Sequence, residues 1–393
     1  MKKAQLVILT ALLLLLQACG SRGGHSGQTG ASTNPPHTNT TQSATLAASS
    51  LPRNASLRVP AADAAALLAG NTAFATDLYG TLRNESAFTN RNLFFSPYSI
   101  SAALAMTYAG AGGATASQLQ NTMHFTLPDN RLNAAFDALD LALTSSRPTA
   151  PGQVPLTLRI ANSMWGEQQM TFQQPFLDPL AIDYGAGVHL ADFINAPDTA
   201  RITINNWVAG ETRNKILNLL TPESITSATR FVLVNAVYFN GGWSRPFVPQ
   251  VTVAGTFHAV TGDQTAQMMT ETLNTAYGSG NGWQAVTLPY DGGLTFTAIL
   301  PKDLATFESS FNAATLASIN SSLALAQVNL TMPKFTIPGT SFSVRDALQT
   351  LRATAVFDRV NADLTGIANL RPQNNLYVND VLHQAYISVD EKG

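Results

Sequence analysis

The ten residues 230–239, RFVLVNAVYF, place the strongest constraint on the fold. They form a nearly continuous run of β-branched and aromatic side chains, which is typical of a strand buried on both faces. Residues 156–165, 187–193, 294–301 and 328–337 predict further strands.

Helical patterns dominate the first part of the folded chain. Apolar residues spaced three and four apart from Leu67 to Leu82 predict one helix. Ser96-Pro97 predicts the start of the next, since Ser is a good N-cap and Pro suits the first turn. Thr115-x-x-Gln118 fits a capping box that would begin a third. Early helices and late strands indicate an α+β fold rather than alternating βαβ units.

The last predicted strand, from Leu376 to about Asp390, carries a histidine on its apolar face. Period-two alternation puts His383 on the same side as Val381 and Ala385. A core histidine is the interpretation that we favour over a ligand. Because buried polar groups need partners, His383 predicts a nearby polar network.

Signals for catalysis and metal binding are weak. The sequence has no Gly-x-Ser-x-Gly, no His-Glu-x-x-His and no phosphate-loop motif. The glycine cluster at 278–282 lies between predicted strands and indicates a hairpin loop. The six histidines are scattered, without acidic or histidine partners at metal-ligand spacing. We therefore predict no catalytic residue, no metal and no cofactor.

Composition limits the class of protein. The chain has 393 residues, a formal net charge of −2, 45% apolar residues and only 12% charged residues. The near-neutral charge excludes a broad basic surface for nucleic acid, and the apolar fraction excludes a wholly disordered chain. We take residues 62–393 as one domain. The proline-rich residues 144–155 fit a surface loop as well as they fit a domain linker.

The N-terminus has the form of an export signal. Lys2 and Lys3 precede an apolar stretch, 6–16, that is too short to span a bilayer. Residues 16–19, Leu-Gln-Ala-Cys, resemble a bacterial lipobox, in which the cysteine thiol carries a diacylglycerol. Cys19 is the only cysteine of the chain. Residues 1–18 are thus predicted to be a lipoprotein signal peptide; an ordinary signal peptide followed by a chance cysteine is the alternative.

Residues 19–61 are predicted to be the lipidated cysteine and a disordered tether. The stretch is rich in Gly, Ser, Thr, Asn and Pro, with almost no large apolar residue before Leu46. A coil of this length would extend roughly 35 Å. We therefore expect an exported domain held clear of a bacterial membrane, at the cell surface or facing the periplasm.

Several segments resemble, in order, the signature sequences of the serpins. Residues 92–119 resemble the early signature, and residues 231–247 resemble the mid-chain signature. The later matches are Met268-Met269, LPYDGGLTFTAILPKD (288–303), MPKF (332–335), FDRVNADLTGI (357–367) and VLHQAYISVDEKG (381–393). The resemblance covers essentially all of residues 62–393.

This resemblance implies three β-sheets, about eight or nine helices and a central five-stranded sheet that can accept an inserted strand. In the family, a target protease attacks the reactive-centre loop and forms an acyl-enzyme. The loop then enters the sheet and drags the protease along before the acyl-enzyme is hydrolysed. The implied function is suicide inhibition of serine proteases, with cysteine proteases as a second target class. The inhibitor is consumed once, so it is not an enzyme.

The resemblance also assigns roles to residues. Four residues match the family's shutter, a hydrogen-bonded cluster beneath the point where the sheet opens: Ser96, Ser99, Asn235 and His383. Lys334 and Glu391 match an ion pair at the top of the sheet, called the breach, with Trp243 packed nearby. Glu391 and Gly393 match the start of the reactive-loop hinge, where Gly permits backbone conformations that a side chain would forbid.

The sequence departs from the family pattern at its end. It stops at Gly393, before the rest of the hinge, the scissile bond and the C-terminal strands of two other sheets. Those strands are core in the family, so we expect the sequence to be incomplete. The identity of the target protease depends chiefly on the missing residues.

Other partners are not predicted. Some serpins bind glycosaminoglycans through basic helices, but residues 115–143 contain only Arg131 as a positive charge, so no such site is expected. We expect a monomer without a nucleic-acid partner.

Two alternatives remain open. A non-inhibitory serpin would be a surface lipoprotein for binding or structure, and proline or bulky charged residues after Gly393 would favour it. An enzyme on the same scaffold is the other, although no nucleophile and base occur at recognisable spacing.

Overall fold

The structure is a computed structural model that describes residues 45–55, 58–145, 154–337, 339–368, 370 and 375–393. The predicted signal peptide and Cys19 lie outside the described residues. Among the residues described, no helix is both long enough and apolar enough to cross a membrane.

Helices and strands follow the predicted order, with most helices before the long central strand. The helices of the described residues are α1 (Ala61–Leu82), α2 (Pro97–Tyr108), α3 (Gly113–Thr122), α4 (Asp129–Thr144), α5 (Gln174–Tyr184), α6 (Pro197–Glu211), α7 (Leu304–Ser310), α8 (Ala313–Ser322) and α9 (Arg345–Thr350). The strands are β1 (Leu46–Ala47), β2 (Thr157–Glu167), β3 (Val188–Ala191), β4 (Phe231–Asn240), β5 (Val253–Ala259), β6 (Gly262–Gly280), β7 (Trp283–Pro289), β8 (Thr295–Pro301), β9 (Ala324–Pro333), β10 (Phe335–Ile337), β11 (Phe342–Ser343), β12 (Val381–Ala385) and β13 (Ile387–Val389).

The central sheet has the strand order β1–β3–β2–β4–β12–β11. β4 pairs antiparallel with β2 and parallel with β12. Its residues alternate between two covered faces: Leu233 packs in the cluster that includes Ile100 of α2, and Val234 packs with Ile204 of α6. The prediction of a strand buried on both faces is confirmed for residues 231–237.

Two further sheets complete the described part of the chain. One joins β5, β6, β7 and β8 in that order, with β9 paired to β6, and the other pairs β10 with β13. The α+β class with several sheets and eight or nine helices is thus confirmed. The five strands expected in the central sheet are joined by a sixth, β1, at the edge.

Two local predictions are wrong because distant segments use the residues involved. The proposed capping box does not begin α3, whose N-cap is Gly112. Instead, Thr115 Oγ1 accepts a hydrogen bond from the Asp363 N–H at 2.9 Å, and Gln118 Oε1 accepts one from the Thr354 N–H at 2.9 Å. The last strand is likewise divided: β12 pairs with β4, whereas β13 pairs with β10.

Part of the predicted tether is ordered against the domain. β1 pairs antiparallel with β3, which places Leu46 opposite His189. The Leu190 N–H donates to Thr45 O at 2.7 Å, and the Asn54 N–H donates to Ile182 O at 2.9 Å. The tether prediction is therefore wrong for residues 45–55.

Arg53 makes the charged contacts of this segment. Its Nε lies 2.7 Å from Asp137 Oδ1, and its Nη2 lies 2.7 Å from Asp140 Oδ2, both on α4. Asp137 is fully buried, with a side chain that is 0% exposed. Composition missed this docking because it depends on backbone pairing and one arginine rather than on apolar side chains.

Candidate functional site

The boundary between β4 and β12 divides the central sheet, and we call this boundary and its continuation along the two strands the seam. The parallel ladder runs from Val381 opposite Leu233 to Ala385 opposite Val237. After Ala385 the chain leaves β4, and β13 pairs with β10 instead. The seam is therefore closed along β12 and parts beyond it.

A row of polar residues crosses the closed part of the seam. Asn162 of β2 lies opposite Asn235 of β4, and Asn235 lies opposite His383 of β12. Asn235 and His383 are fully buried, each with 0% exposure. Because these residues are register partners, their side chains meet on the same face of the sheet.

The N-terminus of α2 lies beneath this row. Ser96 is the N-cap, and its side chain accepts a hydrogen bond from the Ser99 N–H at 3.3 Å. Ser99 Oγ donates to Asn162 Oδ1 at 2.8 Å, and Asn162 Nδ2 donates back to Ser99 O at 3.0 Å. Asn235 Nδ2 donates to Ser99 Oγ and contacts Asn162 Oδ1. One helix start thus joins three strands.

His383 completes the network as a neutral ring. The Ser96 N–H donates to His383 Nε2 at 3.1 Å, so Nε2 carries no proton. Nδ1–H therefore donates to Asn235 Oδ1. Burial lowers the pKa of His383 to about 3, and the positive end of the α2 dipole opposes a charged ring in the same direction.

The far end of the seam is held by the residues that follow β13. Lys334 Nζ lies 2.7 Å from Glu391 Oε2. Trp243 is buried and stacks on Tyr290 with ring centres 4.3 Å apart. Its Nε1–H donates to Asp390 O at 3.0 Å, which ties it to the same segment.

Backbone contacts hold the last residues of the sequence against the loop that follows β4. The Trp243 N–H donates to Lys392 O at 2.7 Å. Gly393 has φ of +149°, and a Cβ at this position would overlap the carbonyl oxygen of Gly241. Only glycine fits this close approach.

A cavity of about 70 Å³ lies where the seam parts. Val237 and Phe239 line it from β4, and Ala385 and Ile387 line it from the opposite side. Gly393 also lines this cavity. The segment that follows β13 therefore lies beside the space between the parted strands at Gly393.

A family model described as Serpin (serine protease inhibitor) matches residues 69–393. The chain belongs to the serpin family. Leukocyte elastase inhibitor A of Mus musculus is 34% identical over 340 residues, which cover 83% of this chain and 86% of the mouse protein. An uncharacterized serpin-like protein of Methanosarcina mazei is 31% identical over 332 residues, covering 83% of this chain and 75% of that protein.

Solved serpin structures share the fold. Uncleaved ovalbumin matches with a TM-score of 0.75 at 25% identity, covering 83% of this chain and 86% of that chain. The native state of the thermophilic serpin tengpin matches with a TM-score of 0.77 at 24% identity, covering 89% of this chain and 87% of that chain.

The structure brings together the serpin residues predicted from the sequence. The four predicted shutter residues share one hydrogen-bond network, and Lys334, Glu391 and Trp243 meet at the far end of the seam. The sequence reasoning missed Asn162. It is a polar residue within the predicted strand 156–165, and the position of an amide among apolar strand residues is a signal that could have found it.

No three His, Cys, Asp or Glu side chains among the described residues gather closely enough to hold a metal ion. Arg131, the single cation predicted in the glycosaminoglycan region, donates from Nε to Asp63 Oδ2 at 2.9 Å.

Replacing Lys334 by Met should lower the free energy of unfolding by at most about 1 kcal/mol, because the lysine side chain is 38% exposed. The hydrogen bond from Lys334 holds the pKa of Glu391 below its ordinary value of 4.5. This contribution is therefore complete above that pH and is lost as the pH falls further. Urea unfolding at low and high salt measures the contribution of the Lys334–Glu391 pair to the free energy of unfolding.

Salt dependence distinguishes the ion pair from simple packing. The loss in K334M should shrink at high salt, where exposed charges are screened. Lys302→Met, another exposed lysine, is the matched control and should show no such change. A loss in K334M that is the same at both salt concentrations would contradict an electrostatic contribution.

Proposed function

We propose that this serpin is a suicide inhibitor of serine proteases that works by taking a strand into the seam. One observation carries the proposal: β4 and β12 are paired up to Ala385, and the chain then leaves β4 with Gly393 beside the gap. A strand that enters there can hydrogen-bond to both sides. Such pairing satisfies backbone groups that otherwise need water.

The proposed reaction has one covalent step. The protease serine Oγ attacks a carbonyl carbon of the reactive loop, an ester forms, and the peptide C–N bond breaks to release a new amine. The loop residues on the ester side then enter the seam and carry the protease with them, before water hydrolyses the ester. Each inhibitor is consumed once, so we propose that the protein is not an enzyme.

The residues at the far end of the seam would control the first stage of entry. The Lys334–Glu391 pair and the hydrogen bond from the Trp243 N–H to Lys392 O hold the segment that precedes the loop. Both must break before this segment moves into the gap. The polar row lies deeper and would be separated later, because Asn235 and His383 belong to opposite sides of the seam.

A covalent complex is the decisive test. The full natural chain is incubated with a serine elastase, the target class named for the relatives, and then denatured in SDS. We expect a stable species with the combined mass of one inhibitor and one protease. An elastase whose active-site serine is replaced by alanine should give none.

The non-inhibitory alternative predicts a different result. The loop would be cut with turnover, no stable complex would form, and the cleaved protein would show no gain in thermal stability. That outcome would overturn the inhibitor proposal. Accumulation of a stable covalent complex, with the combined mass of one inhibitor and one protease, would overturn the alternative.

We also propose that Cys19 anchors the protein as an exported bacterial lipoprotein and that the domain acts as a monomer. The lipobox supports the anchor. Mass spectrometry of membrane fractions should find diacylglycerol on Cys19 and none in Cys19→Ser, and sizing chromatography should give the monomer mass. If Cys19 in membrane fractions is unmodified, the proposed lipid anchor is contradicted.

A further inference from the structure

Residues 45–55, which we call the docked segment, decide where the N-terminal part of the chain joins the folded domain. Backbone pairing holds its first strand, β1, at the edge of the central sheet, with Leu46 opposite His189 of β3. The ion pair between Arg53 and Asp137 holds its other end. The residues before the docked segment therefore join the domain at the sheet edge rather than at the start of α1.

The strand registers give the position of this edge strand along the central sheet. His189 lies opposite Trp165 of β2, and Trp165 lies opposite Val232 of β4. Leu46 is therefore level with Val232, which is the second residue of β4.

The other end of the sheet holds the last residues of the sequence. Gly393 lies against the carbonyl oxygen of Gly241, directly after the end of β4. Val232 and Gly241 are nine positions apart, which is about 30 Å along a strand. Leu46 and Gly393 thus lie at opposite ends of the central sheet.

The direction of β1 fixes which way the preceding chain enters. β4 runs towards the end of the sheet that holds Gly393. β2 is antiparallel to β4, β3 is parallel to β2, and β1 is antiparallel to β3. β1 therefore runs in the same direction as β4, and its N-terminal end, on the side of Cys19 in the sequence, points away from Gly393.

We propose that the docked segment orients the domain on a membrane, with the Leu46 end of the sheet towards the lipid and the Gly393 end away from it. The inference rests on the proposed function, because it needs the lipid on Cys19 and a reactive loop that follows Gly393. A protease that approaches from solution would then meet the loop on the side of the domain that faces away from the membrane.

Steric exclusion by the membrane would produce this orientation. The predicted tether of residues 20–44 would extend about 28 Å as a coil, which is no longer than the sheet itself. The domain cannot enter the lipid, so its attached end stays nearer to the surface on average than its far end. Without docking, the coil would reach Pro60 and extend roughly 35 Å. The attachment would also move to the start of α1, where Asp63 binds Arg131 of α4.

Energy transfer to the membrane measures the orientation. Cys19 is the only cysteine, so a maleimide lipid attaches the full natural chain, beginning at Cys19, to phosphatidylcholine vesicles that contain a rhodamine lipid. A donor dye is coupled through p-azidophenylalanine at one of two exposed positions: Gln169, which follows β2 at the Leu46 end, or Ser244, at the Gly393 end. We expect at least about twofold more transfer from position 169 than from position 244.

Release of the docked segment should reduce this difference. Ala47→Pro removes a backbone donor from β1 opposite Val188, and Arg53→Gln removes the ion pair. In the double variant, the ratio of the two transfers should fall towards one. Arg91→Gln, at an exposed arginine outside the docked segment, is the matched control and should keep the ratio. If circular dichroism shows that the double variant does not fold, A47P alone should lower the ratio in part.

Equal transfer from positions 169 and 244 in the chain with both docking contacts intact would overturn the proposal, as would an unchanged ratio in the folded variant. The maleimide lipid makes the result independent of natural lipidation and of the protease assay. If cells leave Cys19 unmodified but the transfers differ, the docked segment still orients a chain held at its N-terminus, and only the proposed anchor fails. If natural lipid is found and the transfers are equal, the anchor stands and the orientation fails.

Discussion

Acidification from about pH 7.5 to about pH 5 should lower the free energy of unfolding by roughly 2 kcal/mol through His383 alone. Burial lowers the pKa of His383 to about 3, whereas its ordinary value is 6.5. The unfolded chain therefore binds the proton first. The contribution of His383 is complete above pH 6.5 and is lost progressively as the pH falls from 6.5 towards 3.

The structural cause lies in the polar row. Protonation would put a hydrogen on Nε2, where the Ser96 N–H now donates at 3.1 Å. Two donors would then face each other at the start of α2, and one buried hydrogen bond would be lost. Because Asn235 and His383 are on opposite sides of the seam, we expect protonation of His383 to weaken the closed part of the seam.

His383→Gln is the control for this prediction. Glutamine can donate and accept but does not titrate, so the variant should lose the part of the pH dependence that belongs to His383. Urea unfolding of both proteins at several pH values measures the difference, with an expected slope of about 1.4 kcal/mol per pH unit below the ordinary pKa.

Other titrating groups cancel in this comparison. Burial raises the pKa of Asp183 to about 6, and a raised carboxyl pKa acts in the opposite direction, since that stability falls as the pH rises. Asp183 is present in both proteins. The same pH dependence in wild type and H383Q would therefore exclude His383 as the acid-sensitive group.

Replacing Arg53 by Gln should lower the free energy of unfolding by about 2–4 kcal/mol near neutral pH. Arg53 neutralises Asp137, whose side chain is fully buried and whose Oδ2 atom has no hydrogen-bond partner in the described part of the chain. Burial already raises the pKa of Asp137, and Arg53 opposes that effect. The expected loss is below that of a fully buried pair because Arg53 is 26% exposed.

The pH dependence and a second substitution test this explanation. In R53Q the pKa of Asp137 should rise further, so the loss of stability should shrink as acid protonates the carboxyl group. Asp137→Asn removes the charge, and the double variant should be more stable than the two single losses predict. Arg91→Gln, at an exposed arginine, should change stability by less than about 0.5 kcal/mol. Additive losses in the double variant would show that Arg53 does not act through Asp137.

Patterns within single segments were sufficient for much of the fold. The apolar spacing from Leu67 to Leu82 predicted α1, whose stripe is buried. Ser96 was correctly placed as the cap of α2. The hairpin predicted at 278–282 joins β6 and β7, but its loop is shorter than predicted: Gly278 and Gly280 pair with β7 as part of β6, and only residues 281–282 lie between the strands. These features depend on side-chain periodicity and backbone preferences, which act over a few neighbouring residues.

The resemblance to serpins supplied most of the candidate site but not all of it. It placed Ser96, Ser99, Asn235 and His383 in one cluster. Asn162 was missed because its role depends on the register between β2 and β4, which joins residues 73 positions apart. The contacts of Arg213 with the Tyr238 ring and of Lys215 with the Tyr386 ring were also missed, since they join segments that are distant in the sequence.

The sequence by itself determined the α+β class, the doubly buried strand β4 and the alternation that buries His383, because local patterning decides which face of an element is apolar. Tertiary structure alone decided where the seam parts, that residues 45–55 dock on the domain with β1 as an edge strand, and that Arg53 meets Asp137 across 84 positions. Composition marked residues 45–55 as tether because it measures how much apolar surface a segment can bury. Composition does not show that a segment pairs its backbone with a distant strand, or that its arginine lies against a buried carboxylate of another element.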